Sequence, residues 1–119
     1  INITNPDIEF ELNGEDYNWI IRTANILQSP HVAIQSDGES MFITAFNATD
    51  DSAHTNSIKI GDSDGKKYKM VFKTENISKL IPGSYDVEIT SKGIAHFSNK
   101  NQKIQYWMTT ETANSKYEG

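Results

Sequence analysis

Only one stretch of this chain is suited to a helix of several turns, and it limits the possible folds more than any other feature. The segment from residue 15 to residue 28 (EDYNWIIRTANILQ) repeats apolar residues at helical spacing. The resulting stripe consists of Tyr17, Ile20, Ile21, Ala24 and Leu27. The helix ends at Ser29-Pro30, because proline disfavours helical backbone in the residue before it. We therefore expect a sheet structure that packs against this single stripe.

Most of the remaining chain alternates apolar and polar residues, which is typical of strands with one buried face. The predicted strands are residues 8–12, 32–35, 41–46, 57–60, 68–72, 85–89, 94–97 and 104–110. A shorter helix is predicted at residues 74–80. The polar tail from Thr112 is expected to fray.

These elements repeat in the same order at a spacing of about 60 residues. Each half consists of a strand, a helix and three strands, and the halves span about residues 7–61 and 66–111. Such a duplication predicts an α+β domain with internal pseudo-twofold symmetry, in which two helices pack on antiparallel sheets. Chance similarity between two amphipathic βαβββ units is the alternative.

The charge distribution indicates a local positive surface on an acidic chain. The net charge is -5, which argues against a simple basic nucleic-acid binder. Residues 1–58 hold one cation, Arg22, and nine acids, whereas residues 59–119 hold ten lysines and seven acids. On the predicted helices, the polar faces carry Asn18, Arg22, Asn25, Asn76 and Lys79. A helix face without carboxylates favours proximity to phosphates, and an ordinary solvated face is the alternative.

The sequence offers no catalytic, metal or cofactor motif. Cysteine is absent, which excludes thiolate chemistry and favours a reducing, intracellular environment. His31, His54 and His96 lack metal-ligand spacing. No apolar run approaches the length of about 18 residues that a membrane span needs. We therefore expect a binding or scaffolding protein with no membrane partner.

Three segments resemble the C-terminal domain of the sliding clamp of T4-like bacteriophages, the processivity factor of their DNA polymerase. They are GEDYNWIIRTANILQ, ITAFNATDDSAHTNSIKIGDSDG and LIPGSYDVEIT. The resemblance implies a homotrimeric ring around duplex DNA, with helices lining the hole and sheets outside. Residues 1–6 would end the interdomain linker, residues 7–111 would form one clamp domain, and residues 112–119 would be a polar tail.

The resemblance also implies where DNA and the neighbouring subunit bind. Sequence-independent contacts to DNA would come from Arg22, Asn18, Asn25, Asn76 and Lys79. Relatives carry a second basic residue near the position of Asn25, so this lumen face is weakly charged. The subunit contact would be made by an edge strand that consists of Ser57, Ile58, Lys59 and Ile60.

The polymerase's C-terminal peptide is expected to bind an outer apolar pocket near the linker. Trp107 and Ile94 are predicted to lie on the outer faces of their strands, and exposed apolar residues mark such sites. Pro82 and Ile3 are weaker candidates. An ATP-dependent clamp loader is a further implied partner, and the implied location is the cytoplasm of the infected bacterium.

Two other classes of function remain open. A non-replicative structural or adhesion β-protein of a phage would not need a repeated strand–helix unit. An enzyme domain would need a concave pocket with perturbed titratable groups.

Overall fold

The computed structural model describes residues 3–119 and shows two antiparallel sheets with two α-helices. Ile1 and Asn2 of the predicted linker lie outside the described residues. The strands are β1 (Ile8–Leu12), β2 (His31–Asp37), β3 (Ser40–Phe46), β4 (Asn56–Asp62), β5 (Lys67–Lys73), β6 (Tyr85–Ile89), β7 (Ile94–Asn99), β8 (Gln105–Thr109) and β9 (Lys116–Tyr117). The helices are α1 (Gly14–Leu27) and α2 (Thr74–Ile77), and a 3-10 turn covers Thr112–Asn114.

The two halves of the chain exchange their first strands. The first sheet has the order β1-β6-β7-β8, and the second has the order β4-β3-β2-β5-β9. Thus β1 of the first half pairs with β6, whereas β5 of the second half pairs with β2. The predicted α+β fold with two βαβββ units is confirmed, and neither unit forms its sheet alone.

Helix α1 begins at Gly14, one residue before the predicted start, and buries three of the five predicted stripe residues. The Asn13 side chain accepts a hydrogen bond from the Asp16 backbone N–H at 2.9 Å, which satisfies one of the free donors of the first turn. Gln28 adopts a left-handed conformation and ends the helix. Tyr17, Ile20 and Ala24 are buried, so α1 contributes its stripe to the core.

A single main core fills the space between the inner faces of the two sheets and the helices. The largest buried side chains are aromatic: Phe72 from the second sheet meets Phe97 from the first edge-to-face, at 6.0 Å between ring centroids. Tyr85 packs against the same Phe97 ring at 6.3 Å. Aromatic pairs of this kind stabilise the contact between the sheets beyond simple area burial.

Helix α2 is shorter than predicted, because it ends at Ile77 rather than Leu80. The backbone N–H groups of Lys79 and Leu80 donate to residues three positions earlier, so the chain continues as tight turns. Pro82 follows directly, and proline restricts the residue before it and removes a backbone donor.

The expectation that the tail frays from Thr112 is wrong for residues 112–117. Lys116 and Tyr117 form β9, which pairs with β5, and the Tyr117 ring stacks on Tyr68 at 6.0 Å. The tail is ordered because β5 offers an open edge and Tyr68 offers an apolar surface.

Candidate nucleic-acid interface and partner sites

The solvent face of α1 presents Arg22 between two amide side chains. Asn18, Arg22 and Asn25 are all exposed, and they line an open cleft of about 370 Å³ with Ser78 and Pro82. Within residues 3–119 the Arg22 guanidinium forms no ion pair. A free guanidinium flanked by uncharged donors can bind a phosphate oxygen without reading sequence.

Tyr17 fixes the position of this cleft by joining the two helices. Its hydroxyl donates to the Leu80 carbonyl oxygen at 2.7 Å and lies 3.1 Å from the Ile77 carbonyl oxygen, so it holds the end of α2 against α1. Burial raises the pKa of Tyr17 to about 12, with smaller contributions from Tyr85 and Tyr106. The hydroxyl therefore stays protonated and keeps donating at neutral pH.

The two candidate residues of the predicted short helix line a different cleft from Arg22. Asn76 and Lys79 line an open cleft of about 430 Å³ with Trp107 and Met108 of β8. The Lys79 ammonium lies 4.0 Å from the Glu75 carboxylate, so this helix face is not free of carboxylates as the sequence analysis assumed. An exposed pair of this type lowers the local positive charge.

Trp107 and Ile94 lie on the outer face of the first sheet, as predicted. Their exposed fractions are 39% and 36%, so the strand does not bury Trp107. The Trp107 ring stacks on His96 of the neighbouring strand at 4.1 Å between centroids. The His96 ring nitrogens lie 3.1 Å from a Glu88 carboxylate oxygen and 2.6 Å from the Gln105 side-chain oxygen. Trp107 is therefore held in place on one side and open on the other.

A pocket of about 250 Å³ brings Ile94 together with Ile3 of the linker. The turn between β6 and β7 supplies another wall, including Thr90 and Lys92. Asp7 holds the linker against this turn, because its carboxylate accepts from the Ser91 backbone N–H at 2.6 Å. This arrangement has the apolar floor and polar rim expected of a peptide-binding pocket.

The structure does not bring all four predicted peptide-binding residues together. Pro82 precedes β6, whereas Thr90 follows it, and a five-residue strand separates them by roughly 17 Å. Pro82 instead lines the Arg22 cleft. Trp107 pairs with His96 rather than with Ile94, and it lines the cleft at the edge of the first sheet. Only Ile3 and Ile94 share a pocket.

Within the described part of the chain, the first sheet ends in β1 and β8, and the second ends in β4 and β9. The predicted edge strand, residues 57–60, is part of β4. Lys59 forms an exposed ion pair with Asp62 at 3.2 Å. The edge position of residues 57–60 is therefore confirmed, whereas their role in a subunit contact stays a prediction.

Sequence reasoning missed an acidic cleft of about 300 Å³ beside β4. Its carboxylates come from distant parts of the chain: Glu9, Glu11, Asp62 and Asp64. In the sequence these residues lie in two segments about 50 residues apart. Their proximity could not be predicted without knowing that β1 joins the other half's sheet.

Sequence reasoning also missed two exposed isoleucines. Ile26 of α1 is 78% exposed and Ile81 is 38% exposed.

Across residues 3–119, no cluster of three or more potential ligands could hold a metal ion. In the same part of the chain, no helix has the length and apolar character to cross a bilayer.

Comparison with known proteins identifies one family. The family described as "gp45 sliding clamp, C terminal" matches residues 9–112. The sliding clamp of Vibrio phage KVP40 is 29% identical over 106 residues, which cover 87% of this chain and 47% of that protein. The sliding clamp of Enterobacteria phage T4 is 31% identical over 87 residues, which cover 70% of this chain and 38% of that protein. The chain thus spans less than half the length of these relatives.

Solved structures of bacterial clamps share the fold at low sequence identity. The Helicobacter pylori beta clamp in complex with diflunisal has a TM-score of 0.66 and 11% identity, covering 92% of this chain and 32% of that one. The same organism's clamp bound to a DNA ligase peptide has a TM-score of 0.65 and 13% identity, covering 92% and 30%. A DnaN sliding clamp from Bartonella birtlesii has a TM-score of 0.66 and 9% identity, covering 92% and 31%.

Proposed function

The chain belongs to the gp45 sliding clamp family, and we propose that it forms the C-terminal domain of a ring that encircles duplex DNA and tethers a replicative polymerase. The observation that carries the proposal is the α1 face, where a guanidinium with no carboxylate partner in residues 3–119 lies between two amides. The role is that of a tether rather than a catalyst. The family match also argues against the alternative of a structural or adhesion β-protein.

Contact with DNA is proposed to be sequence-independent and weak. Arg22 supplies the main charge on α1, whereas the charge of Lys79 is offset by Glu75. A surface with one or two cations per domain makes few phosphate contacts, so its binding depends on salt but does not lock the ring in place. Weak contacts of this kind suit a protein that must slide.

Ring closure is proposed to use the open edge of β4. Residues 57–60 would pair with the N-terminal domain of the next subunit, giving a homotrimer in the complete protein, and β8 is a second open edge. A contact between two different edges is heterologous, and heterologous contacts close into rings when the rotation permits. The cleft beside β4 adds little net charge to this edge, because Asp62, Asp64 and Glu11 each have a lysine partner.

The partner pocket is proposed to be the one formed by Ile3 and Ile94, and the C-terminal peptide of the polymerase is its proposed occupant. The Helicobacter pylori clamp bound to a DNA ligase peptide supports the idea that proteins with this fold bind partner peptides. An ATP-dependent loader would open the ring, and the complex would work in the cytoplasm of the infected bacterium.

The proposal is tested in the complete clamp with the charge reversal Arg22→Glu. Processive primer extension should be lost at moderate salt and partly retained at low salt, because the remaining cations, Lys79 among them, attract phosphate more strongly when less salt screens them. Lys103→Glu is the matched control, since Lys103 is exposed in the loop between β7 and β8. Processivity that Arg22→Glu leaves unchanged at every salt concentration would remove α1 from the DNA interface.

A further inference from the structure

The edge of β5 is covered by the chain's own C-terminal segment, but the pairing is irregular. Strand β9 pairs at only two positions, Tyr68 with Tyr117 and Lys69 with Lys116, although β5 has seven residues. Further along the edge, the Val71 N–H donates to the Ser115 hydroxyl at 2.8 Å rather than to a backbone carbonyl. The Val71 carbonyl oxygen does have a backbone partner, the Glu111 N–H at 2.7 Å. The ladder is therefore irregular rather than open, with one side chain in place of a backbone acceptor.

The outer face of β5 is strongly basic for a chain of net charge -5. Lys67, Lys69 and Lys73 alternate along it, and all three are exposed. Pairing with the tail sets Lys116 directly opposite Lys69. Like charges at directly opposed positions destabilise a pair of strands.

The position of the Lys69 side chain agrees with this repulsion. Its ammonium lies 4.3 Å from the centre of the Phe46 ring. Phe46 is on β3, which is separated from β5 by β2, whereas β9 lies on the opposite side of β5. The Lys69 ammonium is therefore turned away from Lys116.

Two glutamates, one just before the tail and one within it, contact β5. The Glu111 carboxylate lies 4.0 Å from the Lys73 ammonium, and the Glu118 backbone N–H donates to the Lys67 carbonyl oxygen at 2.9 Å. Lys73 thus has the carboxylate of Glu111 beside it, whereas the Glu118 contact with Lys67 is made by the backbone. On the inner side, Tyr117 packs on Tyr68. The complement of this edge is a strand with acidic residues outside and apolar residues inside.

We propose that the β5 edge is an acceptor site for an extended segment of a partner protein in which acidic and apolar residues alternate. The segment displaces β9 and adds a strand to the second sheet, as in other cases of β-strand addition. The C-terminal tail is the resident occupant of the site, and the opposition of Lys116 and Lys69 keeps it displaceable. The site uses neither the free edges of β4 and β8 nor the α1 face, so it requires no ring and no DNA.

The test measures binding of two fluorescent, end-blocked peptides to this chain by anisotropy. In one peptide Glu alternates with Val, and in the other Lys alternates with Val. The Glu peptide should bind the full chain, and it should bind a chain shortened after Glu111 about tenfold more tightly, because no tail competes. The Lys peptide should bind neither form measurably.

Substitutions that leave the tail in place keep the proposal testable if the shortened chain fails to fold. Lys116→Glu should weaken binding of the Glu peptide about fivefold, because the tail then opposes Lys69 with an attractive charge and is harder to displace. Lys69→Glu should abolish it, and Lys103→Glu should leave it unchanged. Equal binding of both peptides, or an affinity that Lys116→Glu and Lys69→Glu leave unaltered, would overturn the proposal.

Discussion

Replacing Tyr17 by phenylalanine removes the one hydroxyl that joins α1 to the end of α2, and its cost can be worked out from the contacts. The Ile77 carbonyl oxygen keeps a second donor, the Leu80 backbone N–H at 3.2 Å. The Leu80 carbonyl oxygen accepts only from Tyr17 among the described residues, at 2.7 Å. One buried acceptor is therefore left unsatisfied, which costs about 1–2 kcal/mol of unfolding free energy. The aromatic ring remains, so no cavity adds to this cost.

The same substitution changes the stability at alkaline pH. The pKa of Tyr17 is raised to about 12 in the folded chain by burial, against about 10 in the unfolded chain. The folded state thus favours the protonated phenol, and its contribution is fully present below about pH 10 and lost as the pH rises to about 12. Tyr17→Phe should lose less stability over this range than the wild type. Tyr68, whose pKa burial also raises to about 12, should account for part of the remaining loss.

Urea denaturation followed by circular dichroism measures both effects. The midpoint should fall near neutral pH with an unchanged dependence on urea concentration, because the surface exposed on unfolding stays the same. Tyr117→Phe is the control, since its hydroxyl forms no hydrogen bond within the described residues. A midpoint for Tyr17→Phe that matches the control, or an alkaline loss equal to that of the wild type, would refute the reasoning.

Three further outcomes are expected. Asn13→Ala should cost about 1 kcal/mol of stability through loss of the helix cap, whereas Asn13→Ser should retain most of it, both measured by thermal denaturation. Gly93→Ala should cost about 2 kcal/mol or more, because Gly93 has a φ of 101° and an added Cβ would lie 2.8 Å from the Thr110 hydroxyl oxygen. In the complete clamp, Ile94→Ala should weaken binding of the polymerase tail peptide by about 2 kcal/mol, as loss of a buried anchor does. Trp107→Ala should leave the affinity unchanged, because Trp107 lines a different cleft. Calorimetry that shows a loss with Ile94→Ala alone would assign the anchor to the linker pocket.

Local patterns in the sequence were sufficient to predict most elements and which face of each is buried. Alternation of apolar residues placed Ala95 and Phe97 inside and Ile94 outside, and the structure agrees. This works because the side-chain period of a strand is fixed by its backbone. The short helix was predicted to be too long, because helical spacing of Ile77 and Leu80 does not distinguish an α-helix from successive tight turns.

The candidate sites were less predictable because they depend on long-range placement. The ion pair of Lys79 with Glu75 follows from their separation of four residues and could have been predicted from the sequence. The separation of Pro82 from Ile94 could also have been predicted, because they flank opposite ends of the strand predicted at residues 85–89. The ordered tail could not, since its partner strand β5 lies far away in the sequence.

The exchange of first strands between the halves determines when each sheet can form during synthesis of the protein. Within this domain Ile8–Leu12 is made first, whereas its partner Tyr85–Ile89 is made only after both α-helices and four other strands. Until then Ile8, Phe10 and Leu12 form an apolar strand with nothing to pair with, and pairings over such a sequence separation form slowly. Until β6 is made, the first strand is therefore accessible to chaperones and to the same strand of a neighbouring nascent chain.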